Sequence, residues 1–400
     1  MKALSPNVCS VRTRDVLRGT AALMCIVALT GCTTVKGWFG GKKAKPNEPA
    51  ALVEFAPSQT VDRLWSTRVG KGEGRSGVRQ GPVVADGRIY AAAVSGGVTA
   101  LDLQSGRKLW THESKLRLSG GPGVGGDLVV VGSLDGEVIA LDAETGAERW
   151  QAKVPNEVIA APAVGPGLVF VRSNDNRVTA FDAASGQRRW FWSHDVPPLS
   201  VRGNDAPLVG PGLIFVGNDD GTLTALSAND GNPLWEVPVG QPEGRTELDR
   251  MADVDGTPVL DGQVIFATSF KGSTLAIDGP SGRPMWAAEY GGPGRIGVSH
   301  DRLVVSDATG NVHGLDKGTG SAMWSQPALA LRKLTAPAVQ GDYAVVGDFE
   351  GYLHWMKLDN GEFAARVRAG RKALRAAPVV ADGILLVQNI DGDLSAYRLQ

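Results

Sequence analysis

From about residue 60 onward, short apolar runs alternate with brief polar breaks, and the whole pattern returns at a period near 40 residues. "GPVVADGRIYAAAVSGGVTALDLQSGRKLW" is followed by "GPGVGGDLVVVGSLDGEVIALDAETGAERW" and then by "APAVGPGLVFVRSNDNRVTAFDAASGQRRW". Each unit has a short strand around Pro-Ala-Val, a Gly turn, an apolar strand such as "LVVVGS", a polar turn such as Leu134-Asp135-Gly136, an alternating strand, and a closing "TGxxxW". Two-residue Asp-Gly and Gly-Gly breaks between alternating runs signal hairpins. Each unit therefore predicts four antiparallel strands.

Trp65, Trp110, Trp150, Trp190, Trp235, Trp286 and Trp324 mark the unit ends, and each of the last six follows a Gly by four residues. The seventh complete unit has Ala365 in that place. An eighth unit, "LRAAPVVADGILLVQNIDGDLSAYRLQ", stops before its last strand, while "VDRLWSTRVG" near residue 65 is a last strand with no unit before it. Complementary ends on a four-stranded repeat predict an all-β, eight-bladed β-propeller over residues 61–400, closed by the N-terminal strand joining the C-terminal blade. The repeated Trp is expected to wedge between blades. Asp102, Asp142, Asp182, Asp278 and Asp316 are expected to accept backbone hydrogen bonds in the turns. A transmembrane barrel fits less well, because its strands run to about ten residues with aromatic girdles.

Composition agrees with many turns and short strands, with 53 Gly and 23 Pro in 400 residues. The formal charge of −1 becomes about −4 once the four cations and single anion of residues 1–31 are set aside. No basic stripe is present, so nucleic acid is not an expected partner. Cys9, Cys25 and Cys32 all lie in the first 32 residues, which leaves the repeats without a disulfide or a thiolate metal site.

Arg12, Arg14 and Arg18 precede the apolar run "GTAALMCIVALTGC", too short for a bilayer of roughly 30 Å and laid out as a secretory signal. Its end, Leu29-Thr30-Gly31-Cys32, resembles the lipobox of bacterial lipoproteins. That resemblance implies a signal peptide over 1–31 and acylation of Cys32. Thr33, where inner-membrane retention typically uses Asp, implies delivery to the outer membrane. Residues 32–60, with "GGKKAKPNEPA", read as a flexible tether.

The "AxDxxTGxxxW" unit resembles the repeat of quinoprotein dehydrogenases, which implies a rival reading as a periplasmic enzyme holding pyrroloquinoline quinone over Ca²⁺. The adjacent cysteine pair common in those enzymes is absent here, as is any Cys-x-x-Cys-His haem motif. His112, His194, His300, His313 and His354 are scattered and form no His-Glu-x-x-His motif. "GPGVGG" at Gly121–Gly126 leads into a strand rather than a helix, and "DVDG" at Asp253–Gly256 lacks the later ligands of a calcium loop. No Gly-x-Ser-x-Gly elbow occurs. A non-enzymatic protein without cofactor or metal is expected, with a generic propeller adaptor for another envelope protein as a further alternative.

Trp spacing stretches from 40 to 45 between Trp190 and Trp235, and to 51 between Trp235 and Trp286. "SHDVPPLSVRGNDAP" (193–207) and "GQPEGRTELDRMADVDGTP" (240–258) account for the excess at equivalent positions of neighbouring units, so they should stand side by side. "PPLSVRG" and "ELDRMADVDGTP" resemble paired segments of a family of outer-membrane assembly lipoproteins, periplasmic eight-bladed propellers, and the likeness covers the whole mature chain. It implies a scaffold docked on the POTRA domains of BamA, the barrel insertase, alongside other members of that complex and unfolded outer-membrane proteins. By position it places docking on Leu199, Val201, Arg202, Asp253 and Asp255. The residues themselves are compatible with this. Leu199 and Val201 are two apart and would point the same way in an extended loop, while Arg202 offers a planar fork to a partner carboxylate or braces against Asp253 and Asp255. Glu247 and Arg250 are candidates for the loop's polar network.

Overall fold

The structure, a computed structural model, describes residues 47–400 apart from 75, 201–205 and 242. Cys32 and the signal segment, as well as Val201 and Arg202, lie outside the described residues. Pro49–Gln400 forms one compact unit of eight four-stranded antiparallel sheets. Blade 1 shows the plan: Val83–Ala85 innermost, then Arg88–Ala93, Gly97–Asp102 and Lys108–His112 outward. Blades 2 to 7 occupy 118–153, 163–193, 208–238, 259–288, 297–326 and 338–368. Blade 8 joins 379–399 to the strand Val61–Arg68, which pairs with Asp393–Leu399 from Val61 opposite Leu399 to Arg68 opposite Asp393. The predicted blade number and the closure by the two chain ends are both present.

The second and third strands of each blade carry the core, and the apolar clusters span neighbouring blades. Val129 and Val131 of blade 2, for example, pack with Tyr90 and Ala92 of blade 1. Two faces result from the up-and-down chain path. One carries the loops between blades, and the other carries the "TG" turns.

Each marker Trp reaches across to the next blade. Trp65, Trp110, Trp150, Trp190, Trp235, Trp286 and Trp324 donate their indole N–H to the carbonyls of Leu103, Ala143, Ala183, Ala228, Gly279, Lys317 and Leu358, at 2.8 to 3.2 Å. Each ring also lies flush against the turn Gly of that blade, Gly106 through Gly361, all with φ between 67° and 74°. Glycine is required there twice over. The backbone is left-handed, and a Cβ on Gly231 would sit 2.5 Å from Trp190. The preceding Asp shapes the same turn: Asp102 accepts from the Ser105 N–H and Asp316 from the Thr319 N–H, at 2.8 and 2.9 Å. Hydrogen bonds from the Ser105 and Thr319 side chains, aided by those backbone donors, hold both carboxyls below the usual range.

Ala365 replaces Trp at the one junction where the following blade has no "TG" turn, because the outer strand of blade 8 is Val61–Arg68 and no such turn joins it to Asp393–Leu399. The closure there uses other contacts. Trp355, fully buried, donates to Gln340 at 2.8 Å, and Gln340 donates to the carbonyls of Gly383 and Tyr397 in blade 8.

The stretch expected as a free tether up to residue 60 is fixed from Ala50 onward, running as a strap down the outer edge of blade 7. The Ala50 N–H donates to the Ala330 carbonyl, Arg366 donates to the Val53 carbonyl, and the Ser58 and Gln59 N–H groups share the Ala364 carbonyl. Phe55 stacks on Phe363 at 5.4 Å, and Leu52 joins the apolar cluster of blades 6 and 7. The strap thus leaves the propeller on the inter-blade-loop face.

Beneath it lies a buried polar group. Arg332 pairs with Asp348 at 2.7 Å, with Glu350, and with the Ala50 carbonyl. His354 accepts from Arg366 through Nδ1 at 3.2 Å and donates to Asp348 through Nε2 at 3.1 Å, a neutral tautomer that this network selects. Burial lowers the His354 pKa against the pull of Asp348, with Arg366 and Arg332 adding to the drop.

Three outcomes follow for the fold. Gly231→Ala should cost about 2 kcal/mol or more in wild-type background but only about 1 in a Trp190→Ala background, where strain at φ remains and the clash is gone; urea unfolding of the four variants gives the coupling. Arg332→Ala should cost about 3 to 5 kcal/mol by the same measurement, because Asp348 is left buried with its main counter-charge removed. Since the His354 pKa is lower in the folded than in the unfolded chain, the unfolded state binds more protons, so stability should fall as pH drops through about 6.5. His354→Gln should flatten that slope between pH 7 and 5.

Candidate docking face

The two long insertions emerge on the inter-blade-loop face, from blades 3 to 4 and 4 to 5, and they meet. The Ala206 N–H donates to Thr257 Oγ1 at 3.0 Å, so the end of the first loop is bonded to the end of the second. The first loop is rooted by the His194 N–H on the Asn176 carbonyl and by His194 Nε2 against Asp220 at 2.9 Å. The second leaves blade 4 with the N–H groups of Val239 and Gly240 on the Gly221 carbonyl, and Lys271 donates to the Glu243 carbonyl at 2.9 Å. It forms one helical turn, α1 (Glu247–Arg250), and returns with Ala252 and Val254 buried and the Val254 N–H on the Asn218 carbonyl.

The predicted site residues divide between surface and interior. Leu199 is 43% exposed at the crest of the first loop, with Val196 at 52% nearby in sequence and Leu248 of α1 at 67% on the second. Asp253 and Asp255 are instead 1% and 3% exposed. The acidic pair is therefore buried rather than offered at the surface. The cause is the fold-back of 252–256 onto blade 4, which carries Asp253 inward and lets its carbonyl accept from the Phe270 N–H at 2.8 Å. Arg250 donates to the Gly244 carbonyl at 3.2 Å and so closes its own loop.

Neither carboxylate oxygen of Asp255 has a hydrogen-bond partner among the described residues. Burial pushes its pKa up, against the nearby charges of Arg79 and Arg172 and with the help of Asp219. Arg172 itself, buried, bonds Asp219 and Asn176 at 2.9 Å each. Sequence reasoning passed over this pair. Its signal was an Arg in "LVFVRS" where the equivalent strands "LVVVGS" and "LIFVG" carry Gly. Beside the loops opens the central channel, about 730 Å³, and Asp255 lines its wall.

With this geometry in hand, comparison with known proteins is informative. The profile of the family described as "Outer membrane protein assembly factor BamB" matches residues 56–115, 94–326 and 308–399. The protein of that name from Xanthomonas campestris pv. campestris is 62% identical over 386 residues, covering 93% of this chain and 95% of its own. The one from Pseudomonas aeruginosa is 42% identical, with 95% and 98% covered. Among solved structures, BamB from Moraxella catarrhalis superposes with a TM-score of 0.78 at 27% identity, over 85% of this chain and all of that one. A quinohemoprotein alcohol dehydrogenase from Pseudomonas putida HK5 reaches a TM-score of 0.66 at 16% identity, covering 86% and 76%, which is a likeness of fold alone. A propeller whose repeats, closure and paired loops match that profile along nearly its whole length belongs to the BamB family of outer membrane protein assembly factors.

Proposed function

We propose that this chain is a non-catalytic docking subunit of the machinery that assembles outer-membrane barrels. The signal segment 1–31 is removed, Cys32 carries the lipid, and the propeller hangs on the periplasmic side of the outer membrane. The loops 193–207 and 240–258 bind the POTRA domains of BamA, and the bound propeller assists delivery and insertion of outer-membrane proteins.

The observation that carries this reading is the bonded pair of insertions exposing Leu199 and Leu248 on one face. Exposed large apolar side chains on loops of a rigid frame are the usual anchors of a partner surface. Leu199 and Val201 supply apolar contact in this scheme, and Arg202 supplies a planar donor fork to a partner carboxylate. Asp253 and Asp255 act from behind, setting the path of the second loop. The quinoprotein alternative has fold likeness behind it and no further observation.

Leu199→Arg and Leu248→Arg should each cut recovery of BamA with the full lipidated chain by about tenfold or more, equivalent to ~1.4 kcal/mol, with an unchanged unfolding midpoint. Met285→Arg, which alters an exposed apolar residue on the outer strand of blade 5, should leave recovery intact. Undiminished co-purification of Leu199→Arg would remove the loop pair as the docking site.

A further inference from the structure

The inter-blade-loop end of the channel is electrically lopsided. In four consecutive blades, 6, 7, 8 and 1, the segment entering the innermost strand places one basic residue on the channel wall: Arg295, Lys333, Arg375 and Arg79. Arg375 is occupied by Glu73 at 3.5 Å. Arg79, Arg295 and Lys333 have no carboxylate within ion-pair distance among the described residues. Arg79 and Lys333 both hold φ near 50°, the left-handed region where glycine is the undemanding choice, so a long cationic side chain is kept there at a cost in backbone strain. Arg295 stays exposed to channel water yet is enclosed widely enough that desolvation lowers its pKa.

Two carboxylates line the same wall. Asp307 is saturated by Thr309, Asn311 and His313, at 2.8 to 3.2 Å from the groups that donate to it or face it. Asp255 enters from blade 5 with both oxygens unbonded and its side chain withdrawn from bulk water. Burial there pushes its pKa up, against the nearby charges of Arg79 and Arg172.

We propose that this end of the channel is a binding site for a small multivalent oxyanion, a di- or tricarboxylate or a phosphate, held by Arg79, Arg295 and Lys333. A cavity of about 730 Å³ lies in the size range of small-molecule sites. Guanidinium forks match carboxylate and phosphate oxygens two at a time, and Lys333 adds a point charge. The site is separate from the apolar crest around Leu199, so occupancy does not depend on docking.

Calorimetric titration of the detergent-solubilised full chain with citrate and, in a second arm, inorganic pyrophosphate tests this. Saturable one-to-one binding of either probe is expected, and the better probe identifies the oxyanion class. Arg295→Gln and Lys333→Gln should each weaken it about tenfold, the double variant about a hundredfold, with the circular dichroism spectrum and unfolding midpoint of wild type. The proposal is overturned by absence of saturation at millimolar concentrations of both probes, or by equal affinity in the double Gln variant.

Discussion

The contact on which this architecture depends is an indole ring laid against a glycine of the neighbouring blade, with its N–H on that blade's carbonyl. A blade alone is a small twisted sheet with both faces apolar, and it gains stability only when covered on each side. The Trp contact supplies cover and register together. Ring area removes water, the single indole donor selects one carbonyl, and the left-handed glycine is the only residue that lets the ring approach so closely. Repetition at seven junctions holds the blades at a fixed angle, and that angle sets how many are needed to complete the circle.

All of these contacts lie toward the "TG" turns, so the opposite face is free to vary. Insertions there cost little, because loop closure grows slowly with length and the blades below are already tied. The two longest loops share a hydrogen bond and display Leu199 and Leu248, while the acidic residues between them turn inward. The face combines a firm base with an apolar crest, which is what a binding surface needs if little ordering is to be left for the moment of association.

Much of this was legible in the chain. Trp and Gly four residues apart, Asp before them, and the truncated first and last units led directly to the blade number and the closure. The missing Trp at Ala365 was visible as an irregularity, but its reason required seeing that its partner turn is absent from blade 8. What escaped reading depends on contacts distant in sequence. Asp253 and Asp255 look like an exposed acidic stretch until 252–256 is seen to fold onto blade 4. Leu52 and Phe55 sit in a Pro- and Ala-rich stretch whose composition suggests a linker, and only the facing surface of blade 7, with Phe363 and Arg366, makes that stretch a bound strap. Arg172 was a substitution at a Gly position that periodicity treats as noise.

Blade 8 has a temporal consequence. Its outer strand, Val61–Arg68, is the first strand of the propeller to be synthesised and pairs with the last of the propeller's strands, Asp393–Leu399. That strand must therefore wait, edge exposed, until the propeller's last strand has been made, and the ring cannot lock before it arrives. Any factor that shields unpaired edges would act on this segment for longer than on any other.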